Sequence, residues 1–281
     1  TNTLQNITAN SNSEDGIYLY SSNTNTLQNI TANSNNYGIY LSSSFSNTLQ
    51  NIIAKENQYY DIYFYASSPS DCNNLIQNIT GSGGRPIIYS NSSVNLSNQV
   101  LAELILCNAD NSNLTNITIQ GSSQYKNNGL FLYYVDNSSF REINSSYNRY
   151  GAYLYSYSDS DTADNNTFSG ITVNNNYNYG FYLRYSDTNT LQFITSNSNP
   201  WNGISLEFSS SNTLQNITSS SNSQYGISIS SSSSNTLQNI TASSNRYGIL
   251  LSSSNNNTLQ NITSSSNSQY GISISSSSSN T

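Results

Sequence analysis

The chain has 281 residues and a net charge of −7, and only 7% of its residues are charged. Its seven basic residues are scattered singly, which excludes the basic patch that a nucleic-acid partner requires. No apolar run approaches the roughly 18 residues needed to span a membrane, and the 24 tyrosines argue against a disordered polar tract.

One phrase, Asn-Thr-Leu-Gln-Asn-Ile-Thr, recurs along the chain in intact or diverged copies. Its central apolar residue is, in chain order, Leu4, Leu27, Leu49, Leu75, Leu96 (in a shortened copy), Leu114, Phe140, Phe168, Leu191, Leu214, Leu237 and Leu259. Apart from the shortened copy, the spacing is about 22 to 28 residues, a period typical of solenoids. Residues 212–236 and 257–281 are identical, which indicates recent duplication.

Each copy contains two apolar segments. The second, such as Gly16–Leu19, alternates with the period of two expected for a half-buried strand. In the first segment Leu4 and Ile7 lie three apart, so a corner at Gln5–Asn6 is predicted, because Asn tolerates positive φ. A copy therefore predicts one turn, with three short strands, of an all-β, right-handed, single-stranded parallel β-helix. About twelve turns are expected to form a single domain over residues 1–281.

The patterns Asn-Thr-Leu-x-Asn-Ile-Thr, Asn-x-x-Gly-Ile-x-Leu and Ser-Ser-Ser-x-Asn-Thr follow one another along nearly the whole chain. This succession resembles the parallel β-helix repeats (PbH1 type) of NosD-like proteins, which also occur in archaeal and bacterial surface proteins. The resemblance implies the fold, and NosD-like proteins are associated with copper-enzyme maturation. Copper prefers Cys, Met and His ligands, whereas this chain has no His, no Met and two distant Cys. A copper role is therefore not expected.

The acidic residues follow the repeat. Asp110, Asp136, Asp164 and Asp187 each precede the repeat's Leu or Phe by four residues, so they should stack at one corner. The insertion Ser156–Asn166 adds Asp159 and Asp161 beside Asp164. Such a group of hard oxygen ligands suits Ca²⁺. The alternative is a solvated acidic corner in which each Asp caps its own turn.

Tyrosines occupy the outward positions of the second segment. They are Tyr18, Tyr40, Tyr63, Tyr89, Tyr153 and Tyr182. They predict an aromatic stripe along one face of the rod. An exposed stripe could bind sugar rings or another protein, or the rings could stack on one another between turns and stabilise the sheet.

N-glycosylation sequons are dense. They begin at Asn6, Asn29, Asn78, Asn91, Asn95, Asn113, Asn116, Asn137, Asn144, Asn165, Asn216, Asn239, Asn256 and Asn261. In Asn-Ile-Thr the inward Ile leaves Asn and Thr facing out, which favours glycosylation of several sites. Asn residues one turn apart could instead form a ladder, and occupancy would then be partial.

Cys72 and Cys107 lie on either side of the shortened copy. A disulfide between them is plausible in an oxidising compartment, provided that their Cα atoms approach within about 7 Å. Two buried thiols are the alternative.

These observations favour an extracellular structural protein: a surface-layer, stalk or filament subunit that assembles with itself. Both ends read into a further copy, so the chain is expected to be a segment of a longer repeat protein or the unit of a filament. No enzyme activity is expected, because His is absent and no catalytic constellation is apparent. The alternative is a carbohydrate-binding or polysaccharide-processing β-helix that uses the tyrosine stripe and the acidic corner.

Overall fold

The computed structural model describes residues 1–158 and 162–281, which form 24 strands and two short 3₁₀ helices. The predicted parallel β-helix of about twelve turns is confirmed. Most turns contain two strands rather than the predicted three, because each copy of the repeated phrase forms one bent strand.

Two stacks of turns, here called the first and second solenoids, make up the chain. The first solenoid contains β1 (Thr3–Thr8), β2 (Asp15–Tyr20), β3 (Thr26–Thr31), β4 (Tyr37–Ser42), β5 (Thr48–Ile53), β6 (Tyr60–Tyr65), a 3₁₀ helix (Pro69–Cys72) and β7 (Leu75–Thr80). Its odd-numbered strands form one side, and β2, β4 and β6 form a separate three-stranded sheet.

The second solenoid follows a 3₁₀ helix at Ser82–Gly84. It contains β8 (Pro86–Ser90), β9 (Asn95–Leu101), β10 (Glu103–Cys107), β11 (Asn113–Ile119), β12 (Gly129–Tyr133), β13 (Ser139–Asn144), β14 (Tyr150–Tyr155), β15 (Thr167–Thr172), β16 (Phe181–Arg184), β17 (Thr190–Thr195), β18 (Ile204–Glu207), β19 (Thr213–Thr218), β20 (Tyr225–Ser230), β21 (Thr236–Thr241), β22 (Tyr247–Ser252), β23 (Thr258–Thr263) and β24 (Tyr270–Ser275). The even-numbered strands continue the sheet of β1, β3, β5 and β7, and the odd-numbered strands form an eight-stranded sheet.

The chain reverses between the two solenoids. Strands β7 and β8 pair antiparallel, with Ile79 opposite Ile87, whereas the other strand pairs of the described chain are parallel. The reversal is made by a tight turn in which the amide of Gly81 donates to the carbonyl of Arg85 at 2.8 Å. Gly83, with φ of 64°, supplies a left-handed conformation that residues with a side chain rarely adopt. The turns therefore do not stack without interruption.

The bend inside each repeated phrase is the predicted corner. Asn6 and its counterpart Asn29 have φ of 58° and 57°, in the left-handed region that Asn tolerates. The bend turns both apolar residues of the phrase inward, so Leu27 and Ile30 are almost fully buried. The corner predicted from the spacing of Leu4 and Ile7 is thus confirmed.

Buried asparagines tie successive turns together. One such column of the second solenoid consists of Asn166, Asn189, Asn212, Asn235 and Asn257. The backbone amide of each donates to the side-chain oxygen of the next at 2.8–2.9 Å. The side-chain amide of Asn189 also donates to the carbonyl of Ala163 at 3.0 Å. Each turn thus satisfies polar groups of its neighbours, which matters because unpaired buried donors are costly.

The outer face of the second solenoid packs against the first solenoid near the reversal. Ile105, Phe131 and Tyr133 point away from the core of their own solenoid, yet each is at most 5% exposed. They belong to the apolar cluster that contains Ile39, Ile62 and the rest of the first solenoid's core. We call this region of contact the joint.

A disulfide crosses the joint. Cys72, before β7, is bonded to Cys107 at the end of β10, with Cα atoms 5.3 Å apart. Both residues are buried in the cluster that joins the solenoids. The bond therefore ties the first solenoid to the second across a sequence separation of 35 residues.

We expect the double variant Cys72→Ser/Cys107→Ser to lose about 2–4 kcal/mol of unfolding free energy, because a loop of this length is no longer constrained in the unfolded chain. Urea unfolding followed by circular dichroism measures the loss. A reducing agent should destabilise the wild type by a similar amount and leave the variant unchanged. Equal midpoints for oxidised wild type and variant would contradict a stabilising bond.

Candidate functional site

Strand β6 is the edge of the three-stranded sheet, and side chains of the second solenoid cap that edge. The backbone amide of Asp61 donates to the side-chain oxygen of Asn128 at 2.8 Å. The hydroxyl of Tyr133 donates to the carbonyl of Phe64 at 2.8 Å. An open strand edge would otherwise expose unpaired backbone groups. The two solenoids are therefore held in a fixed relation at the joint.

The carboxylate of Asp61 is the polar centre of the joint. It is fully buried and accepts hydrogen bonds from the side-chain amides of Asn57 and Asn128 at 3.1 and 2.8 Å. It also accepts from the backbone amide of Ser82 at 2.7 Å. Burial raises the pKa of Asp61, although these hydrogen bonds act to lower it. Asp61 thus ends the asparagine column of the first solenoid that includes Asn57, and it links the first solenoid to the second.

An open pocket of about 230 Å³, here called the joint pocket, lies where both solenoids contribute side chains. It is lined by Gln58, Tyr59, Gln124, Tyr125, Lys126, Arg149 and Tyr177. Gln58 and Tyr59 precede β6, whereas the other residues belong to turns of the second solenoid. The segment that carries Tyr125 and Lys126 is anchored by Asn127, whose side-chain amide donates to the carbonyl of Asn57 at 2.8 Å.

Two cations face the joint pocket. The guanidinium of Arg149 lies 4.6 Å from the ring centre of Tyr59 and 5.3 Å from that of Tyr177, so aromatic faces hold it. Most of the Lys126 side chain is exposed, and the partial loss of solvent around its amine lowers the pKa of that group. Within the described residues neither cation has a carboxylate partner. The acid nearest to the pocket in sequence, Glu56, instead accepts hydrogen bonds from Gly83 and Ser122.

This arrangement suits an anionic sugar. A guanidinium that lies over aromatic rings keeps N–H groups available for a carboxylate or sulfate. Tyrosine rings offer apolar faces to sugar rings, and the two glutamine amides can bond hydroxyl groups. The joint pocket therefore combines charge, stacking surface and neutral hydrogen-bonding groups within one opening.

The six predicted stripe tyrosines do not form one stripe, and this prediction is wrong. Tyr18, Tyr40 and Tyr63 are paired in register on β2, β4 and β6. Tyr89 lies on the other sheet, where two residues that are not Tyr separate it from the register pair Tyr153 and Tyr182. The cause is the reversal between β7 and β8, which places the two groups on different sheets.

The rings within each group stack on one another. Tyr18 and Tyr40 have ring centres 4.8 Å apart, Tyr40 and Tyr63 4.6 Å, and Tyr153 and Tyr182 5.2 Å. Only Tyr18 among the six is exposed, at 59%. Because stacked rings cover each other's faces, these columns stabilise the sheets and offer little surface to a sugar.

The acidic corner is a hydrogen-bonded column. The side-chain oxygens of Asp110, Asp136 and Asp164 each accept the backbone amide of the next aspartate, at 2.6–2.8 Å. Asp187 continues the column by accepting the amide of Ser210 at 2.6 Å. Burial and neighbouring carboxylates raise the pKa of Asp164 to about 6.

A calcium site at this corner stays a prediction. Asp159 and Asp161 lie outside the described residues. Among the residues that the structure does describe, no three His, Cys, Asp or Glu side chains come together as metal ligands.

The sequon asparagines lie at the surface. All are exposed except Asn216, which is half-buried. Several form the outer ladder anticipated from the sequence: the side-chain amides of Asn29, Asn239 and Asn261 donate to the preceding asparagine at 3.0–3.1 Å. Because the ladder uses the nitrogen that would carry a glycan, glycosylation at these positions competes with it and stays a prediction.

The joint pocket was not predicted from the sequence. Its basic residues are isolated in sequence, yet Lys126 and Arg149 lie before β12 and β14, which are adjacent strands of one sheet. A usable signal was Asp61, which takes the place of the repeat's glycine in the Tyr-Gly-Ile segment. No sequence pattern could have placed Tyr59 opposite Arg149, since that contact depends on the reversal.

Comparisons with known proteins concern family and fold. The family model described as "Periplasmic copper-binding protein (NosD)" matches residues 115–281, and the model described as "Right handed beta helix region" matches residues 1–101. No curated protein matches the chain in sequence. None of the described helices is long and apolar enough to cross a membrane.

Several solved structures are similar in fold. The A-module of the mannuronan C-5 epimerase AlgE4 of Azotobacter vinelandii is 14% identical, with a TM-score of 0.48 over 99% of this chain and 84% of that one. The periplasmic alginate epimerase AlgG is 13% identical, with a TM-score of 0.46 over 97% and 74%. The active domain of tailspike protein 2 of bacteriophage CBA120 is 14% identical, with a TM-score of 0.46 over 94% and 38%. Likenesses this distant carry no argument about activity.

Proposed function

The chain belongs to the NosD family, and we propose that this member is an extracytoplasmic protein whose joint pocket binds an anionic polysaccharide. The observation that carries the proposal is the convergence of Arg149 and Lys126 on an aromatic-walled opening without carboxylate partners. The proposal is for binding. No pair of carboxylates lines the pocket, as hydrolysis of a glycosidic bond would require.

The net charge of −7 does not oppose this proposal. At physiological ionic strength, charges more than about 8 Å apart are largely screened, so the groups at the pocket dominate. The dense acidic column, from Asp110 to Asp187, lies at another corner of the second solenoid. A local cationic site on an acidic protein also favours binding in one place over coating of the whole surface.

Copper does not fit this chain, despite the description of the family. The sequence has no His and no Met, and both of its Cys are bonded to each other. Carboxylate and amide oxygens remain, and these are ligands for harder cations. We therefore assign no step to copper.

A location outside the cytoplasm is supported by two observations. The matched family is described as periplasmic. A disulfide such as the one across the joint forms and persists in an oxidising compartment. Self-assembly into a surface layer, stalk or filament stays a prediction. It is compatible with glycan binding, because a rigid rod can present the joint pocket at a distance from the cell.

The proposal is tested with alginate and polygalacturonate as anionic probes and dextran as the neutral probe. Binding measured by titration calorimetry should be seen for at least one anionic polymer and not for dextran. Lys126→Gln and Arg149→Gln should each weaken it about tenfold or more, because a hydrogen bond to a charged group contributes about 1.5–3 kcal/mol.

The chain supplies a matched control. The tetrapeptide Asn-Arg-Tyr-Gly occurs at Asn148–Gly151 and again at Asn245–Gly248. Arg246 of the second copy lies over its own neighbour Tyr247 at 5.3 Å, away from the first solenoid. Arg246→Gln should therefore leave binding unchanged. An equal loss with Arg246→Gln, or no binding of either anionic polymer, would contradict the joint pocket as the site.

A further inference from the structure

A second cavity at the joint, of about 150 Å³, has aromatic walls. Its walls include Tyr60 and Tyr63 of β6, Phe131 and Tyr133 of β12, and Tyr150 and Tyr153 of β14. Glu103, at the start of β10, also lines it. We call this space the aromatic cavity. Tyr63, Tyr150 and Tyr153 are only partly buried, so the cavity reaches the surface between them.

The carboxyl group of Glu103 is the unusual feature of this cavity. The residue is fully buried, and neither of its carboxyl oxygens makes a hydrogen bond. The backbone amide of Ile62 acts to lower the pKa of Glu103, but the effect of burial outweighs it. An unpaired buried carboxylate is costly, and native proteins usually pair such a group with a cation or a hydrogen-bond donor. Glu103 therefore lacks a cationic partner that would offset the burial of its carboxylate.

Among the residues that the structure describes, no cation is paired with Glu103. The charged group that acts on Glu103 is Asp61, another acid, and it adds repulsion to the effect of burial. Both raise the pKa of Glu103 well above its ordinary value. Arg149, an arginine at the joint, lies over the ring of Tyr60 at 5.5 Å and over Tyr59 in the joint pocket. A cation inside the cavity would relieve the cost of burying the carboxylate.

The aromatic walls of the cavity favour a cation, as the carboxylate of Glu103 does. Phe131 lies edge-on to Tyr60 and Tyr153, with interplanar angles of 62° and 88° and ring centres 5.7 and 6.3 Å apart. Rings set at such angles present faces as well as edges to the space between them, and aromatic faces attract cations. Surrounding rings with one acid are the usual recognition elements for ammonium groups.

We propose that the aromatic cavity binds a small organic cation, an alkylammonium or quaternary ammonium group, with Glu103 as its counter-ion. The volume agrees: an apolar cavity of about 150 Å³ holds a molecule the size of benzene, and tetramethylammonium has fewer heavy atoms than benzene. The site is distinct from the joint pocket, which presents cations rather than an acid. Its ligand is therefore of the opposite charge, and the two proposals can fail independently.

The experiment compares two probes of similar size, tetramethylammonium and the neutral tert-butanol, by ligand-observed NMR and calorimetry on the whole chain at about pH 8. Tetramethylammonium should bind at least tenfold more tightly than tert-butanol. Glu103→Gln, which keeps the shape of the side chain, should remove at least nine-tenths of that preference. Its far-ultraviolet circular dichroism and unfolding midpoint show whether the variant is folded.

Three results would overturn the proposal. Equal affinity for both probes would mean a merely apolar cavity, and unchanged tetramethylammonium binding by Glu103→Gln would exclude the counter-ion role. Failure of the wild type to bind tetramethylammonium would exclude the site. The comparison of the two probes on the wild type tests the proposal even if the variant does not fold. Arg246→Gln, which changes no residue lining either cavity, should leave tetramethylammonium binding intact. Because the two tests use probes of opposite charge, one proposal can fail while the other stands.

Discussion

Replacing Asp61 with alanine should lower the unfolding free energy of the chain by about 3 kcal/mol, because each buried donor left unpaired costs about 1–3 kcal/mol. The carboxylate accepts hydrogen bonds from Asn57, Ser82 and Asn128, all of them buried. Removing the carboxylate also removes the cost of burying its charge, which is the cost that raises its pKa. The net loss of unfolding free energy is therefore smaller than the sum of the lost hydrogen bonds. Urea unfolding at about neutral pH gives the value.

Two further variants make this result specific. Asp110→Ala removes an aspartate that is only half-buried, and its side chain accepts the amide of Asp136 at 2.8 Å. We expect that change to cost no more than about 1 kcal/mol. Asp61→Asn, which keeps one acceptor oxygen, should lie between the two. If Asp61→Ala were no more harmful than Asp110→Ala, Asp61 would not be the centre of the joint.

The second large loss of unfolding free energy is expected in a comparison of the two identical segments, 212–236 and 257–281. Leu214 and Leu259 occupy the same place in them, but Leu214 is fully buried between Leu191 and Leu237, whereas Leu259 pairs in register with Leu237 alone. Leu214→Ala should cost about 2–5 kcal/mol through lost burial and the cavity it leaves. Leu259→Ala should cost about 1 kcal/mol, because its side chain is already partly open to solvent.

The local sequence around the two leucines is the same, so propensity and turn chemistry cancel in this comparison. Chemical unfolding of the 281-residue chain measures both losses, and circular dichroism at low denaturant reports fraying of the last turn. Equal losses at the two positions would mean that coverage by a neighbouring turn does not determine stability. That outcome would contradict the nearest-neighbour stacking expected of a solenoid.

The architecture within a turn could be predicted because it depends on residues close in sequence. The spacing of Leu4 and Ile7 required a corner, and Asn6 at φ of 58° provides it. The step from turn to turn was also predictable, since identical residues pair in register, as Leu237 does with Leu259. Both the corner within a turn and the register between turns follow from the periodicity of the sequence.

The reversal at β7 and β8 could not be predicted in the same way. In sequence it appears only as a glycine-rich turn before Pro86 and a shortened copy, and neither determines the direction of the next strand. Everything built on it was missed for that reason: the joint pocket around Arg149, the aromatic cavity around Glu103 and the division of the tyrosines into two columns. The site lies where the repeat is interrupted, and the repeat pattern contains no information about that region.

The in-register pairing of the later turns has a consequence for how the gene can change. A whole copy inserted or deleted by unequal crossing-over beyond β16 would leave every surviving turn with a neighbour of the same pattern, as between Leu214, Leu237 and Leu259. The same event within residues 57–134 would displace Asn128 or Tyr133 from β6. Recombination can therefore lengthen the rod beyond the joint, whereas the segment that forms the joint has to keep a constant length.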